Sequence, residues 1–386
     1  MYMNSANNLQ PDSLLNVSQL AATGSDLNIN IVMQWKQAQC SDCGAPSFFG
    51  TRRYFIHQHT ASEVTAIRNG DTTSLDADRL ADPPTNNPAT HQSDMGDYRV
   101  LQDFAHWGAQ NYPADHMAVL VWDHGSGWRP VNRSATNKRL SPRYRAVSQD
   151  NETNGEIETQ EIPLALANLA QPIDMLIFDC SLEMMVEVAY EVRNTARVMV
   201  GSEESPPGNG YPYDRWINAL KATGLNPCDV GNSIVTTFVA VYPTQSDITQ
   251  SVIELSKMPP IAAALDTFGA SLITHRNDQA ALLQTARDSV QSYAYPDNKD
   301  LFSYAEIIRA GTTAPDLKSA AANLQSTLLG SSGVIIQSMH GSSNQTGSRG
   351  LAVYVPNQFN YLASYNDLAL THAAPRWAQF LQAQVQ

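Results

Sequence analysis

Apolar residues come in short runs that alternate with longer stretches of helical periodicity. Ile173 to Phe178, broken only by Asp174, reads as a strand buried on both faces of a parallel sheet. Met117 to Trp122 is a second such run. Asn28–Gln34, Arg52–Gln58 and Ala196–Gly201 predict further strands. The chain opens on the tail of a strand, a polar turn from Asn4 to Asn8, and a helix to about Ala22. Helical patterns cover roughly 97–111, 212–223, 228–241, 258–274, 278–294, 301–311 and 316–329, with a last helix from Pro375. Ser251–Leu255 is a short apolar piece, and Val334–Ser338 and Leu351–Val355 are late strands. Trp35–Phe49 reads as a loop, and residues 60–96 as an exposed loop or short hairpin. Strands alternating with helices predict an α/β sandwich around a largely parallel central sheet. The reading is one domain over 1–386, mostly helical at about 256–330.

Chemistry collects at two strand ends. Asp179, Cys180 and Ser181 follow the 173–178 strand, and a helix is expected at once, with Leu182, Met185, Val186 and Ala189 on one face. His124 follows the other strand, in a Gly-Ser-Gly turn. Open α/β sheets carry their functional groups at the carboxyl ends of strands. A His beside a thiol or hydroxyl suggests nucleophilic catalysis.

Composition narrows the classes. The 386 residues, 42% hydrophobic, suffice for a large core. A net charge of −13 argues against nucleic acid and anionic membrane surfaces. No apolar run reaches the roughly 20 residues of a membrane span. Met1-Tyr2-Met3-Asn4 has neither the basic start nor the apolar centre of a signal peptide. The cysteines Cys40, Cys43, Cys180 and Cys228 are too few for a disulfide framework. Cys40-Ser-Asp-Cys43 reads as a local disulfide or two free thiols rather than a metal site, because zinc needs further ligands.

Two stretches between the strand ends stand out. Arg129, Arg133, Lys138, Arg139, Arg143 and Arg145 concentrate six of the 24 basic residues of an acidic chain, either as a solvated loop or as a protease-sensitive linker. From Asp150 to Glu161, oxygen-bearing residues fall where a calcium loop places ligands: Asp150, Glu152, Asn154, Glu158 and Glu161, with Gly155 at the sixth position. Glu at the third position is atypical, the preceding segment reads as a strand, and Asp, Asn and Gly also make ordinary turns. Calcium is the one cofactor suggested; the chemistry itself requires none.

Trp122-Asp-His-Gly-Ser-Gly-Trp128 resembles the His motif of the clostripain-like cysteine peptidases, which share a caspase-like α/β/α fold with the gingipains. Supporting similarities run nearly the whole chain: Met3 to Leu9, Met95-Gly-Asp97, Asn111 to Asp115, Ser202 to Tyr211, and Gly350 to Pro356. The resemblance makes His124 the His of a Cys–His dyad. The family's nucleophile motif is Phe-Asp-Ala-Cys-Leu, six residues before the Glu of a Glu-Val-Ala-Tyr helix. Counted from Phe178 or back from Glu187, the nucleophile falls at Ser181, and Cys180 occupies the Ala position. A hydroxyl is a far poorer nucleophile than a thiol beside a His. Ser181 is read as an inactive Cys-to-Ser form, introduced or natural, with a working Ser181 or Cys180 as the remaining alternatives. Cys180 is expected to be buried, inert and turned away from His124.

The resemblance also implies that the backbone at Gly125 and residue 181 forms an oxyanion hole. Asp179 would lie at the floor of a pocket for a basic side chain. The family's second acid corresponds to Asn209, which adds no charge. Cleavage after Arg or Lys follows, with Arg favoured. Self-processing is expected within 129–146, after Lys138, Arg139, Arg143 or Arg145. The expected partners are peptides or proteins bearing basic residues, the expected state is a monomer, and relatives are often exported. The rival reading is a pseudo-peptidase that binds peptides without cutting them.

Overall fold

The computed structural model describes residues 1–129, 147–223, 226–243, 247–341, 345–357 and 359–383. Its strands, in chain order, are β1 (Tyr2–Asn4), β2 (Val32–Gln37), β3 (Gly50–Phe55), β4 (Ala118–Trp122), β5 (Val147–Asp150), β6 (Gly155–Ile157), β7 (Ile173–Asp179), β8 (Ala196–Gly201), β9 (Thr249–Glu254), β10 (Asn298–Asp300), β11 (Ile335–His340) and β12 (Ala352–Tyr354). Eight of them form one sheet in the order β11-β9-β8-β7-β4-β1-β2-β3. The β8-β7-β4-β1-β2 centre is parallel. The β2–β3, β8–β9 and β9–β11 pairs at its flanks are antiparallel.

Alternation along the central strands divides the core between two faces. Val119, Val121, Leu176 and Phe178 join the cluster under helices Tyr98–Asn111, Met258–His275 and Pro375–Ala383. Leu120, Trp122, Met175 and Ile177 join the other, under helices Gln10–Thr23, Tyr213–Thr223 and Pro227–Val241. This covering of both faces is why the central runs read as continuously apolar.

Several expectations shift. Residues 60–96 contain a helix, Ala61–Arg68, closed at its start by a reciprocal Thr60–Glu63 capping box that the polar composition concealed. The Leu351–Val355 run does not join the main sheet; its strand pairs with β10 in a separate two-stranded ribbon. The short piece at 251–255 lies within a full strand, β9. The segment after Asp179 is not helical at once: residues 180–185 form a loop, and the helix is Val186–Glu191. Among the described residues, no helix is long and apolar enough to cross a membrane.

Candidate active site

β4 and β7 lie side by side, with Trp122 opposite Asp179. The loops that leave their carboxyl ends, 123–128 and 180–185, therefore start as neighbours. Asp123 N donates to Asp179 O at 3.3 Å and ties the two roots together. Gly125 lets the loops close up: a Cβ there would lie 2.5 Å from Ser181 O and 2.9 Å from Cys180 Cβ. Gly125 also bridges to Val147, at the start of β5.

Glu183 fastens the loops from below. Its Oε1 accepts from Gly127 N at 3.0 Å and from Ser126 N, while Oε2 has no hydrogen-bond partner. Burial pushes this carboxyl up to about 8, against the pull of those two amides.

His124 is half-buried. Its main-chain N donates to Asp123 Oδ1 at 2.6 Å, and its ring Nε2 stands 2.8 Å from Asn8 Oδ1. With the amide oxygen accepting, Nε2 carries the proton and Nδ1 is the basic nitrogen of the neutral ring. Asn8 sits in the turn between β1 and helix Gln10–Thr23. Its neighbour Asn7 donates to Asp123 Oδ1 at 2.6 Å and to Gln149 O at 2.8 Å. The turn after β1 thus supports both the ring and the root of the His loop.

Ser181 is half-buried, and its hydroxyl makes no hydrogen bond among the described residues. Leu182, next in the chain, has φ 66, a left-handed conformation that a branched residue holds only under tertiary constraint. Cys180 is 1% exposed and its thiol donates to Val121 O at 3.4 Å. Burial pushes that thiol well above its ordinary value, and Glu183, Asp123 and Asp179 add to the effect. A thiolate is strongly disfavoured there.

Asp179 is 5% exposed. Its Oδ2 accepts from Tyr211 N at 3.0 Å and Tyr213 Oη at 2.6 Å; Oδ1 has no such partner among the described residues. Burial pushes the carboxyl up to about 6, against those two hydrogen bonds. Gly210 brings the 207–210 loop onto this carboxylate: a Cβ there would lie 2.6 Å from Oδ2. Asn209 is exposed, and its carbonyl accepts from Asn16 Nδ2 at 2.8 Å. His124, Gly125, Ser181 and Asn209 therefore belong to adjoining loops at the end of the sheet where Asp179 closes β7.

The family model for clostripain, peptidase family C11, matches residues 1–383. The chain belongs to the clostripain family. Clostripain from Hathewaya histolytica is 28% identical over 240 residues, 58% of this chain, and the match spans 42% of that relative's length. The fold is similar to a secreted C11 cysteine protease from Bacteroides thetaiotaomicron solved with an irreversible peptide inhibitor (TM-score 0.66, 19% identity, 98% of both chains). It is also similar to an inactive zymogen C11 protease from Parabacteroides distasonis (TM-score 0.64, 17% identity, 97% of this chain and 96% of that one).

The remaining expectations for this clostripain-family chain fare unevenly. The calcium-loop spacing folds into a β5–β6 hairpin rather than a loop between helices. Asp150 is buried, with Oδ2 taken by Lys36 Nζ at 2.7 Å and Met95 N at 3.0 Å, and Oδ1 by Glu152 N and Thr153 N. Glu152 Oε2 also lies 2.9 Å from Lys36 Nζ, and Glu161 Oε2 accepts from Glu158 N at 2.9 Å. A lysine ammonium stands where a cation would be needed. Among the described residues, Asp150, Glu152, Glu158 and Glu161 do not converge into a metal-holding group, and Asn154 takes φ 60 in the hairpin turn. Cys40, Asp42 and Cys43 do converge, but Cys40 and Cys43 are joined as a disulfide and offer no thiolate.

Lys138, Arg139, Arg143 and Arg145 lie outside the described residues. Arg129, at the head of the same basic stretch, is held between the rings of Tyr295 and Tyr354, at 5.0 and 4.9 Å, beside Asp297 at 3.2 Å. It is an anchored loop residue, not a solvated one. Sequence reading missed Asn8, Asn7 and Glu183. The polar Asn4–Asn8 turn was visible; its proximity to His124 was not.

Proposed function

We propose that this fold is built for endopeptidase cleavage after Arg or Lys by a dyad of His124 and a Cys at position 181, and that the Ser181 form is inactive. With Cys at 181, the thiolate attacks the scissile carbonyl carbon and His124 passes its proton to the leaving amine. Water, deprotonated by His124, then releases the acyl group from sulfur. The N–H groups of residues 125 and 181 would face the oxyanion. Asp179 would meet the basic side chain through its unpartnered Oδ1. The single observation that carries the reading is the interlock of the His124 loop with the 181 loop at the ends of two paired strands, one of which ends in Asp179.

Processing is proposed after Lys138, Arg139, Arg143 or Arg145. Intact mass of Ser181→Cys beside the Ser181 chain tests both claims. Cleavage within 130–146 only in the Cys form, with hydrolysis of a short Arg or Lys ester, is the expected result. A second reading, a peptide-binding protein without catalysis, is favoured by Ser181 itself. It takes over if the Cys form stays whole and cleaves neither ester.

A further inference from the structure

The proposed site for a basic side chain has one carboxylate, Asp179, with the uncharged Asn209 in the loop that packs on it. A second carboxylate approaches the same loop from another element. Asp12 lies in the first turn of helix Gln10–Thr23 and is half-buried. A Cβ on Gly208 would lie 3.3 Å from Asp12 Oδ2, and one on Gly210 would lie 2.6 Å from Asp179 Oδ2. The Gly208–Gly210 segment therefore runs from one carboxylate to the other.

Three contacts hold this arrangement. Asn16, one turn along the helix from Asp12 and on the same face, grips Asn209 O at 2.8 Å. Asn16 Oδ1 in turn accepts from Trp122 Nε1 at 2.7 Å, which ties the helix to the end of the His strand. Tyr242 Oη donates to Gly210 O at 2.8 Å. Burial raises the hydroxyl of that tyrosine, and the fields of Asp179 and Asp12 both add to the shift.

The Asp12 carboxylate makes no hydrogen bond and no ion pair among the described residues. An unpaired carboxylate, partly withdrawn from water, is unfavourable unless something cationic meets it. Burial raises Asp12 from its ordinary value.

We propose that Asp12 is a specificity-determining residue, supplying from the first helix the second negative charge of the pocket for a basic substrate side chain. The inference rests on the reading of this pocket as the site for Arg or Lys. A guanidinium entering above Asp179 would meet Asp179 Oδ1 and, across the Gly208–Gly210 segment, Asp12. Asn209 would add a neutral acceptor between them. The charge that the loop lacks is placed on the helix instead.

The test uses the Ser181 chain itself, because binding needs no nucleophile. Nα-acetyl-arginine amide and its uncharged counterpart, Nα-acetyl-citrulline amide, are titrated by NMR into the parent, Asp12→Asn, and Asp12→Asn with Asn209→Asp. The expected result is preferential binding of the arginine probe by the parent. Asp12→Asn, which removes no bond of the fold, should cut that preference about tenfold, a half-exposed charge pair being worth less than a buried one. Asn209→Asp should restore it by returning the charge to the loop.

An unchanged arginine-to-citrulline ratio in a folded Asp12→Asn protein overturns the proposal, as does failure of the parent to prefer arginine. Hydrolysis of arginine and citrulline esters by Ser181→Cys separates the two ideas. Cleavage with the same ratio in the Asp12→Asn background sinks the role of Asp12 and leaves the peptidase reading standing. Selective binding that depends on Asp12, without cleavage by the Cys form, sinks the peptidase reading and supports Asp12.

Discussion

At the scale of single residues, two adjacent side chains at the end of β7 have different surroundings: Ser181 is half-buried and Cys180 is sealed in the core. Cys180 has the better nucleophilic atom but spends it against Val121 O in the sheet, where burial and nearby carboxyls oppose ionisation. Asn8 is the residue through which His124 would be oriented. In a Ser181→Cys background, Asn8→Ala is expected to lower kcat/KM for an arginine ester about tenfold, a part of the roughly 100- to 10,000-fold that a positioned base supplies. The acidic limb of the pH–rate profile should move as well, which a purely structural loss would not produce. Glu183 gives a second prediction, in stability. Its carboxyl is raised from 4.5 to about 8, so between those values the folded chain keeps a proton that the unfolded chain has released. Its stabilising contribution is complete below about 4.5 and is lost as pH rises through about 8. Glu183→Gln keeps an acceptor for Gly127 N and does not titrate. Its melting temperature should therefore gain on the parent as pH rises from about 5 to about 8; a constant difference would refute the ionisation argument.

At the scale of elements, the two strand-end loops work as a pair. Neither is held by regular secondary structure: Leu182 is strained, and the following helix begins only at Val186. They hold each other through Gly125 against Ser181 O and Glu183 against Gly127 N, while Met184 N on Ser202 O and the Gly125–Val147 bridge tie them to the segments around them. Gly125→Ala would insert a methyl 2.5 Å from a main-chain oxygen, which cannot swing aside as a side chain would. Displacement of reacting groups by about 1 Å costs on the order of 100-fold in rate. A loss of that order in the Ser181→Cys background, with the fold retained by circular dichroism, is the expected outcome; wild-type rates would mean that the loops are not interlocked in solution. The β5–β6 hairpin shows the same dependence on partners. Lys36, from β2, pairs with Asp150 and Glu152, two of the carboxylates that the spacing alone would offer to calcium.

At the scale of the whole molecule, both flanks of the basic stretch are anchored independently of it. Arg129 is clamped by Tyr295, Tyr354 and Asp297, and Trp128 packs on Tyr354 and Tyr365. On the far side, Ser148 Oγ donates to Met95 O, Asn151 N to Ala6 O, and Asp150 holds Lys36. β4 and β7, one on each side of the stretch, are hydrogen-bonded neighbours at the centre of the sheet. Nicking the chain with trypsin within 130–146 should therefore yield two fragments that elute together at the size of the intact chain and separate only in denaturant. Early separation would place the cohesion of the fold in the intact linker.

The sequence by itself determined what short-range pattern can carry. The central strands were legible because burial on both faces makes them uniformly apolar, and the positions of His124, Asp179 and Ser181 followed from where those strands end. Aligned on the family's nucleophile motif, the count falls on Ser181 rather than Cys180. The tertiary structure decided which distant polar groups meet. Asn8 reaches His124 across 116 residues and Glu183 reaches Gly127 across 56. Asp12 meets the 208–210 loop from a helix near the other end of the chain. A lone Asn or Asp in a turn or first helical turn looks the same whether it faces water or an active site, since its local pattern is satisfied either way. A calcium-like spacing likewise says which oxygens are available, and only packing shows that Lys36 pairs with those of Asp150 and Glu152. Periodicity records burial; partnership between polar side chains is settled by the crossing of strands and loops, which leaves no periodic trace in the chain.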